Sequence, residues 1–316
     1  MKISLYTVSY MGIWYDGPAL GFEEIVQRAK DCGYDGIELD GKRPHGNPMD
    51  LDQRARARMR SLVERAGLEV SCVAANNDFS SPVPEHRECQ LLMVRELARL
   101  AADLGAKVVR LFAAWPGVVI RDGRATYDLL RAPSLPYEMQ YPFLSRLDRW
   151  NFVKGCLKEA AGFGEEFGVV MALQNHPPFI RHWKDIYDLV QEVNSPWLKI
   201  CLDLPMMTQL DKDSVRQAAL TVGKLQTYSH FGGEYQRDAQ GRIQPRALDF
   251  EKPIPDYGHF LGLMREIGYD GYFGYELCHP FVNERHELMG IEQVHEQVKL
   301  AREYLGGLIK AGSPGS

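Results

Sequence analysis

Four segments of this chain end in side chains that can hold a cation or move a proton. The first, "MALQNHPPF" at 171–179, ends an apolar run in two amides and an imidazole, Gln174, Asn175 and His176. Two prolines follow, so the run cannot continue as a strand. Three later segments, "LKICLDLP", "LQTYSHFGGEY" and "YFGYELCHP", end in a carboxylate or an imidazole, and these residues are Asp203, His230 and Glu276.

Together these side chains predict a divalent metal site. An amide oxygen, two carboxylates and an imidazole make a ligand set with mixed oxygen and nitrogen donors, which suits hard and borderline cations. We expect Mn²⁺ first, with Mg²⁺ or Co²⁺ as alternatives. The predicted ligands are Gln174, Asp203, His230 and Glu276.

The elements that must position these residues alternate regularly along the chain. Short apolar runs predict eight strands, and amphipathic stretches predict a helix after each strand. The pattern predicts a single-domain (β/α)₈ barrel over 1–309 and a flexible tail over 310–316. Long connections follow the fourth strand, at 115–147, and the seventh, at 231–255. Because a barrel presents all its carboxyl strand ends at one face, the four segments are expected to converge there.

Repeated turn sequences support this alternation. The segments "GYDGIELD" at 33–40 and "GYDGYFGYEL" at 268–277 each predict a helix ending at Gly, a turn and an apolar strand. A doubly wound sheet usually carries a glycine-rich nucleotide turn, and the sequence contains neither GxGxxG nor GxxxxGK[ST]. The barrel is therefore the favoured fold.

Composition excludes several classes of partner. The 316 residues carry a net charge of −5, and the basic residues are scattered, so neither nucleic acid nor an anionic membrane is an expected partner. The N-terminus lacks a signal-peptide core, and the chain lacks an apolar run long enough to cross a membrane. The six cysteines are widely spaced and contain no CxxC, as expected in a reducing cytoplasm.

The strand-end residues resemble those of the sugar isomerase and epimerase branch of the xylose isomerase-like barrels. That family holds a divalent metal with Glu, Asp, His and Glu from strands five to eight. Asp203, His230 and Glu276 match the last three positions, and the similarity covers nearly the whole chain. Gln174 departs from the pattern, because the family has Glu at that position.

A narrower resemblance points to the large subunits of C-glycoside deglycosidases. It is carried by "ISLYTVSYMGIWYDG" near the N-terminus and "ELDGKRPHGNPMDL" at 38–51. It implies an oxidised, 3-oxo-C-glycoside substrate, a divalent metal that is commonly manganese, and a small second subunit. It also implies a catalytic histidine two residues after the first metal ligand, a position that His176 fills.

The glutamine at position 174 distinguishes between a mechanism with two carboxylate bases and a mechanism with one base. Epimerases of this superfamily use two metal-bound glutamates on opposite faces of the sugar, and a glutamine cannot act as a base. Chemistry with one base remains available: His176 removes a proton next to a ketone, and the leaving group departs. The sequence therefore favours a lyase that cleaves a C-glycosidic bond, with His176 and Glu276 as the catalytic residues. The alternative is a ketose 3-epimerase or an aldose–ketose isomerase acting on free sugars.

Residues on neighbouring loops are candidates for substrate binding. Lys42 and His45 follow the second strand and can bind sugar hydroxyls, while Trp14 and Trp115 offer ring faces for stacking. These features are also compatible with a different class of protein, a catalytically inactive barrel that binds a sugar or a protein. An endonuclease of the same superfamily fits poorly, because those enzymes use more metal ligands and a basic face.

Overall fold

Eight parallel strands close into a barrel in the computed structural model, which describes residues 1–115, 117–121, 124–126, 141–247 and 253–312. Each strand pairs with its neighbours in chain order, and the first strand pairs with the last. The barrel strands are Lys2–Tyr6 (β1), Gly36–Asp40 (β2), Glu69–Ala74 (β3), Val108–Leu111 (β4), Val170–Gln174 (β5), Leu198–Cys201 (β6), Gln226–Gly232 (β7) and Tyr272–Glu276 (β8).

An α-helix follows each strand within the described residues, which confirms the predicted (β/α)₈ fold. The helices are Phe22–Asp31 (α1), Gln53–Arg65 (α2), Pro84–Leu104 (α3), Arg146–Phe167 (α4), Trp183–Val193 (α5), Lys212–Val222 (α6), Tyr257–Glu266 (α7) and Ile291–Ala311 (α8). No helix among the described residues is long and apolar enough to cross a membrane.

The two repeated turn sequences end α1 and α7 as their glycines predict. Gly33 and Gly268 adopt φ values of +75° and +73°, a left-handed conformation that favours glycine. The tyrosine after each glycine is buried, at 4% exposure for Tyr34 and 9% for Tyr269. Each turn thus anchors the start of the following strand.

Apolar packing forms two separate cores. The larger core lies between the strands and the helices, where α3 contributes its predicted stripe, including Leu97 and Ala101. The smaller core fills the barrel interior and consists of Cys72, Val108, Ala172, Cys201 and Tyr228. The interior therefore has an apolar floor, and polar side chains lie above it towards the carboxyl strand ends.

The two long connections contain short antiparallel hairpins. In the connection after β4, Val119–Arg121 pairs with Arg124–Thr126, and most of 115–147 lies outside the described residues. After β7, Glu234–Arg237 pairs with Ile243–Arg246. Helix α8 continues to Ala311, two residues past the predicted boundary at 309, and 313–316 lie outside the described residues.

Candidate functional site

The carboxyl ends of β5 to β8 carry the polar residues that the sequence singled out. Gln174 and Glu276 are the last residues of β5 and β8, and Asp203 follows β6 by two positions. His230 lies within β7 and is fully buried, as is Asp203. Direct contacts connect three of these four side chains.

Gln174 lies between a cation and a carboxylate. Its Oε1 accepts a hydrogen bond from Arg110 Nη1 at 3.0 Å, and its Nε2 donates to Asp203 Oδ2 at 2.5 Å. The side chain is buried, at 2% exposure. The amide oxygen, which the metal prediction assigns to the cation, therefore points to Arg110 and away from Asp203.

His230 lies between two carboxylates. Its Nε2 donates to Glu38 Oε2 at 2.8 Å, and its Nδ1 lies 3.4 Å from Asp203 Oδ2. Burial alone would lower the pKa of His230, but Glu38 and Asp203 outweigh burial and hold this pKa well above its usual value. A histidine that donates one ring nitrogen to a carboxylate presents the other in a fixed orientation, as metal-binding histidines do.

Glu38 and Arg110 are parts of the site that the sequence did not predict. Glu38 is fully buried, accepts a hydrogen bond from Tyr228 and lies 3.4 Å from Arg110 Nε. Burial favours the neutral acid, yet His230 and Arg110 outweigh it and lower the pKa of Glu38. Arg110 also donates to the Tyr6 hydroxyl at 2.9 Å. Their signal in the sequence is a charged residue flanked by apolar ones within a buried strand, Arg110 in "VVRLF" and Glu38 in "GIELD".

Asn175 holds the ends of β5 and β6 together. Its Oδ1 accepts from the Asp203 backbone N–H at 2.7 Å, and its Nδ2 donates to the Asp203 carbonyl at 3.0 Å. The Asp203 carboxylate is held separately, since Oδ1 accepts from the His230 backbone N–H at 3.0 Å. Asn175 is therefore a structural clamp that orients Asp203.

His176 lies at the edge of this cluster, in an aromatic setting. Its ring packs edge-on against Phe112 and Trp115, with centroid distances of 4.9 and 5.0 Å. Its Nδ1 lies 2.5 Å from the Pro177 carbonyl. Because a carbonyl only accepts, Nδ1 carries the proton and the lone pair is on Nε2. Removal from water lowers the pKa of His176 to about 4, with Arg110 contributing, so the ring is neutral at pH 7.

Glu276 is the carboxylate in the site with the highest pKa. Burial raises its pKa to about 7. Nearby Asp203 contributes to this rise in pKa, and His230 and Arg110 oppose it. At neutral pH Glu276 is therefore present both as an acid and as a carboxylate, a state that suits proton transfer in either direction.

The two predicted substrate residues after β2 already have partners. Lys42 Nζ lies 3.4 Å from Asp40 Oδ2, and its side chain keeps 29% of its surface exposed. His45 is 5% exposed, and its Nε2 lies 3.1 Å from the Leu20 carbonyl. Lys42 thus remains accessible for substrate binding, whereas His45 would have to be uncovered first.

The two predicted tryptophans differ in their surroundings. Trp115 is partly exposed and stacks on Phe112 at a centroid distance of 4.7 Å, beside His176. Trp14 is only 1% exposed and packs in the larger core. This corrects the expectation that Trp14 stacks on a substrate, because its ring has no open face.

Within the parts of the chain that the structure describes, no three His, Cys, Asp or Glu side chains already stand in a metal-binding arrangement. Glu38 accepts a hydrogen bond from one ring nitrogen of His230, and the NH₂ group of Gln174 donates a hydrogen bond to Asp203. The predicted ligand set therefore stays a prediction.

Comparison with known proteins shows which family this chain belongs to. The sequence profile of the xylose isomerase-like TIM barrel family matches residues 26–303. The chain belongs to this family. Among curated proteins, a putative L-ribulose-5-phosphate 3-epimerase of Haemophilus influenzae is 20% identical over 266 residues, covering 81% of this chain and 83% of the relative.

Several solved structures share the whole fold. A D-psicose 3-epimerase studied with D-fructose superposes with a TM-score of 0.70 at 16% identity, over 98% of this chain and 99% of the other. A 3-keto-D-glucoside 4-epimerase of E. coli gives 0.68 at 17%, over 98% and 99%. The IolI protein with a bound zinc atom gives 0.69 at 16%, over 99% and 100%. At these identities the likeness shows the fold alone.

Proposed function

We propose that this chain is a sugar epimerase or isomerase of the xylose isomerase-like family that moves a proton at the carbon next to a ketone. The observation that carries the proposal is that the carboxyl end of the barrel holds a neutral histidine, His176, whose Nε2 carries the lone pair, and an acid, Glu276, whose pKa is about 7. The relatives named above as sugar 3- and 4-epimerases support this type of reaction.

The site contains some of the donor atoms that a divalent cation requires, although they are not grouped around one point among the described residues. His230 Nδ1 and Asp203 Oδ2 lie 3.4 Å apart, and Glu38 fixes the histidine ring through Nε2. With Glu276 they offer one nitrogen and two carboxylates, a set typical of Mn²⁺ or Zn²⁺ sites. A bound cation would polarise the ketone and acidify the neighbouring C–H bond. The zinc atom in a structure of the same fold supports a metal here.

The protein residues carry the proton in this scheme. His176 Nε2 takes the proton from the carbon beside the ketone, and the electron pair of the broken C–H bond moves into an enolate. Glu276, in its acid form, returns a proton to the same carbon. In the barrel, β6 and β7 lie between β5 and β8. In this scheme His176 and Glu276 approach the carbon from different sides, so the returned proton inverts its configuration.

A second candidate is the lyase that cleaves the C-glycosidic bond of a 3-oxo-C-glycoside. The observation that favours it is Gln174, a neutral amide whose oxygen is bound to Arg110. In this scheme His176 removes the proton, and the aglycone departs as Glu276 protonates it. The lyase hypothesis also implies a small second subunit, which size-exclusion chromatography of the protein from its native host would test.

Product analysis separates the two candidates. The Mn²⁺-loaded protein is incubated with D-psicose, a 3-oxo-glucoside and a 3-oxo-C-glycoside, and the products are identified by NMR. We expect an epimer of one of the first two substrates. Release of aglycone without any epimer would overturn the epimerase and favour the lyase. Substitution of His176 by Ala should abolish either product, and unchanged turnover in that variant would contradict both candidates.

A further inference from the structure

A groove of about 560 Å³ runs between helices α1 and α2 on the outside of the barrel. Phe22 of α1 and Met59 and Leu62 of α2 line it, together with Leu51 from the segment before α2. Each of these four side chains packs on the larger core and is only partly buried. The floor of the groove is therefore apolar and accessible to solvent.

Two arginines of α2 give the groove a positive edge. Arg58 and Arg65 line it, are exposed, and lie seven residues apart, about 10 Å along the helix axis. Within the described residues neither of them has a carboxylate partner, whereas Arg60 of the same helix pairs with Glu64 at 2.8 Å. Glu23, on the α1 edge, is the one acidic residue in the described lining. The α2 edge therefore carries two positive charges that no nearby carboxylate compensates.

Helix α3, the next helix around the barrel, carries the opposite charge on its outer surface. Glu85 and Glu88 are exposed, and neither forms an ion pair with any residue that the structure describes. Leu92 lies one turn after Glu88 on the same side of the helix and is 62% exposed. We refer to Glu85, Glu88 and Leu92 as the α3 ridge, a surface that is both acidic and apolar.

The α3 ridge and the groove are complementary in chemistry. Leu92 matches the apolar floor, and the two carboxylates of the ridge match the two arginines at the groove edge. Glu85 and Leu92 are also two helical turns apart, the same spacing as Arg58 and Arg65. Within one chain the ridge cannot enter the groove, because α2 lies between them. A second copy of the chain can bring them together.

We propose that this face of the barrel is the interface of a homodimer, in which the α3 ridge of each copy lies in the α1–α2 groove of the other. Because ridge and groove lie side by side, a two-fold rotation makes both contacts at once and closes the assembly. Leu92 then packs on the apolar floor, while the carboxylates of the ridge face Arg58 and Arg65. The inference concerns the outside of the barrel and does not depend on the proposed reaction.

The charges explain why this face is used. Each chain carries a net charge of −5, so two copies repel one another overall. A positive groove edge that meets an acidic ridge replaces repulsion by attraction at this face alone. Burial of Leu92 against the floor of the groove adds the apolar contribution.

Exchange of the charges tests this interface. Sedimentation equilibrium measures the mass of the full-length protein at concentrations up to about 1 mM. Two double variants each reverse the charges on one side of the contact: Arg58→Glu with Arg65→Glu, and Glu85→Arg with Glu88→Arg. A combined variant carries all four substitutions and thereby exchanges the charges of ridge and groove.

We expect the wild-type protein to be a dimer. Each double variant should raise the dissociation constant by about 10-fold or more, because it places like charges opposite each other. The combined variant should return to near the wild-type value. Arg216→Glu is the matched control and should change nothing, because Arg216 lies on α6, across the barrel, in an exposed pair with Glu266. Circular dichroism melting checks that every variant is folded.

Three results would overturn the inference. A wild-type protein that is monomeric at every concentration would show that no second copy fills the groove. A dimer that neither double variant weakens would have its interface elsewhere. A dimer that a double variant weakens and the combined variant does not restore would show that the ridge and the groove do not face each other.

Discussion

The barrel interior and the barrel mouth hold their polar residues in different ways. In the interior, Arg110, Glu38 and His230 are each at most 2% exposed and joined by ion pairs and hydrogen bonds. At the mouth, Lys42 and Trp115 are partly exposed; Lys42 lies beside Asp40, and Trp115 packs against Phe112 and His176. Interior residues therefore depend on one another, whereas a mouth residue can change with little effect on the rest.

This difference assigns different roles to the two regions. A buried network with satisfied partners fixes side-chain positions, because any unpaired charge would be costly there. Partly exposed residues are free to exchange water for substrate. We infer that the interior sets the chemistry and that the mouth sets affinity for the sugar. His176 lies at the boundary between them, beside Trp115 on one side and the carboxylate cluster on the other.

The largest effect is expected at this boundary. Replacing His176 by Ala should lower the rate of proton exchange on the sugar by about 10²–10⁴-fold, because a positioned base contributes that much. Mn²⁺ affinity should stay near the wild-type value, since His176 is not a predicted ligand. His182→Ala is the matched control, because this histidine caps α5 through the Lys184 N–H and packs beside Trp183. Equal losses in both variants would remove His176 from the mechanism.

Next in size is the effect of breaking the interior network. Glu38→Ala should lower the free energy of unfolding by about 3–5 kcal/mol, because it leaves buried His230 and Arg110 with an uncompensated charge. Glu69→Ala, on neighbouring β3, removes an exposed pair with Lys2 and should cost at most about 1 kcal/mol. Urea denaturation measures both. Similar costs for the two variants would contradict the contrast between interior and surface pairs.

The pH dependence of stability is expected to be smaller. The folded protein lowers the pKa of His176 from 6.5 to about 4, so between these values the unfolded chain binds the proton that the folded chain does not. The resulting contribution to the free energy of unfolding is present above pH 6.5 and is lost as the pH falls towards 4. The free energy then changes by at most about 1.4 kcal/mol per pH unit. Comparing chelator-treated wild type with His176→Gln isolates it. An unchanged slope in the variant would show that His176 is solvated.

The smallest effect is expected at the mouth. Lys42→Met should raise KM about 5–10-fold and leave kcat unchanged, the loss expected for one hydrogen bond used in binding alone. The ion pair with Asp40 is also lost, so thermal melting is measured alongside the kinetics. A fall in kcat at constant KM would place Lys42 in the chemical step and would erase the distinction between mouth and interior.

The sequence predicted the positions of Gln174, Asp203, His230 and Glu276 because barrel geometry places every carboxyl strand end at one face. Register and side-chain period then decide which of these residues point inwards. The same reasoning predicted the helix stops at Gly33 and Gly268, which the backbone confirms. These features depend on local pattern and on topology alone.

Other features depend on contacts that no local pattern encodes. Glu38 meets His230 across the barrel, 192 positions apart in sequence, and Arg110 meets Gln174 from 64 positions away. Only the closed barrel brings these pairs together. Likewise, Trp14 is buried because the chain around it folds over its ring, and residue type alone does not show that. The direction of the Gln174 amide is a consequence of such long-range contacts.

Deuterium exchange into the sugar tests the central claim most directly. The Mn²⁺-loaded protein is incubated with D-psicose or a 3-oxo-glucoside in D₂O, and NMR follows the C–H group next to the ketone. The account predicts that deuterium enters at that carbon alone, in wild type and not in His176→Ala. Absence of exchange in every substrate, with the metal bound and the protein folded, would contradict it.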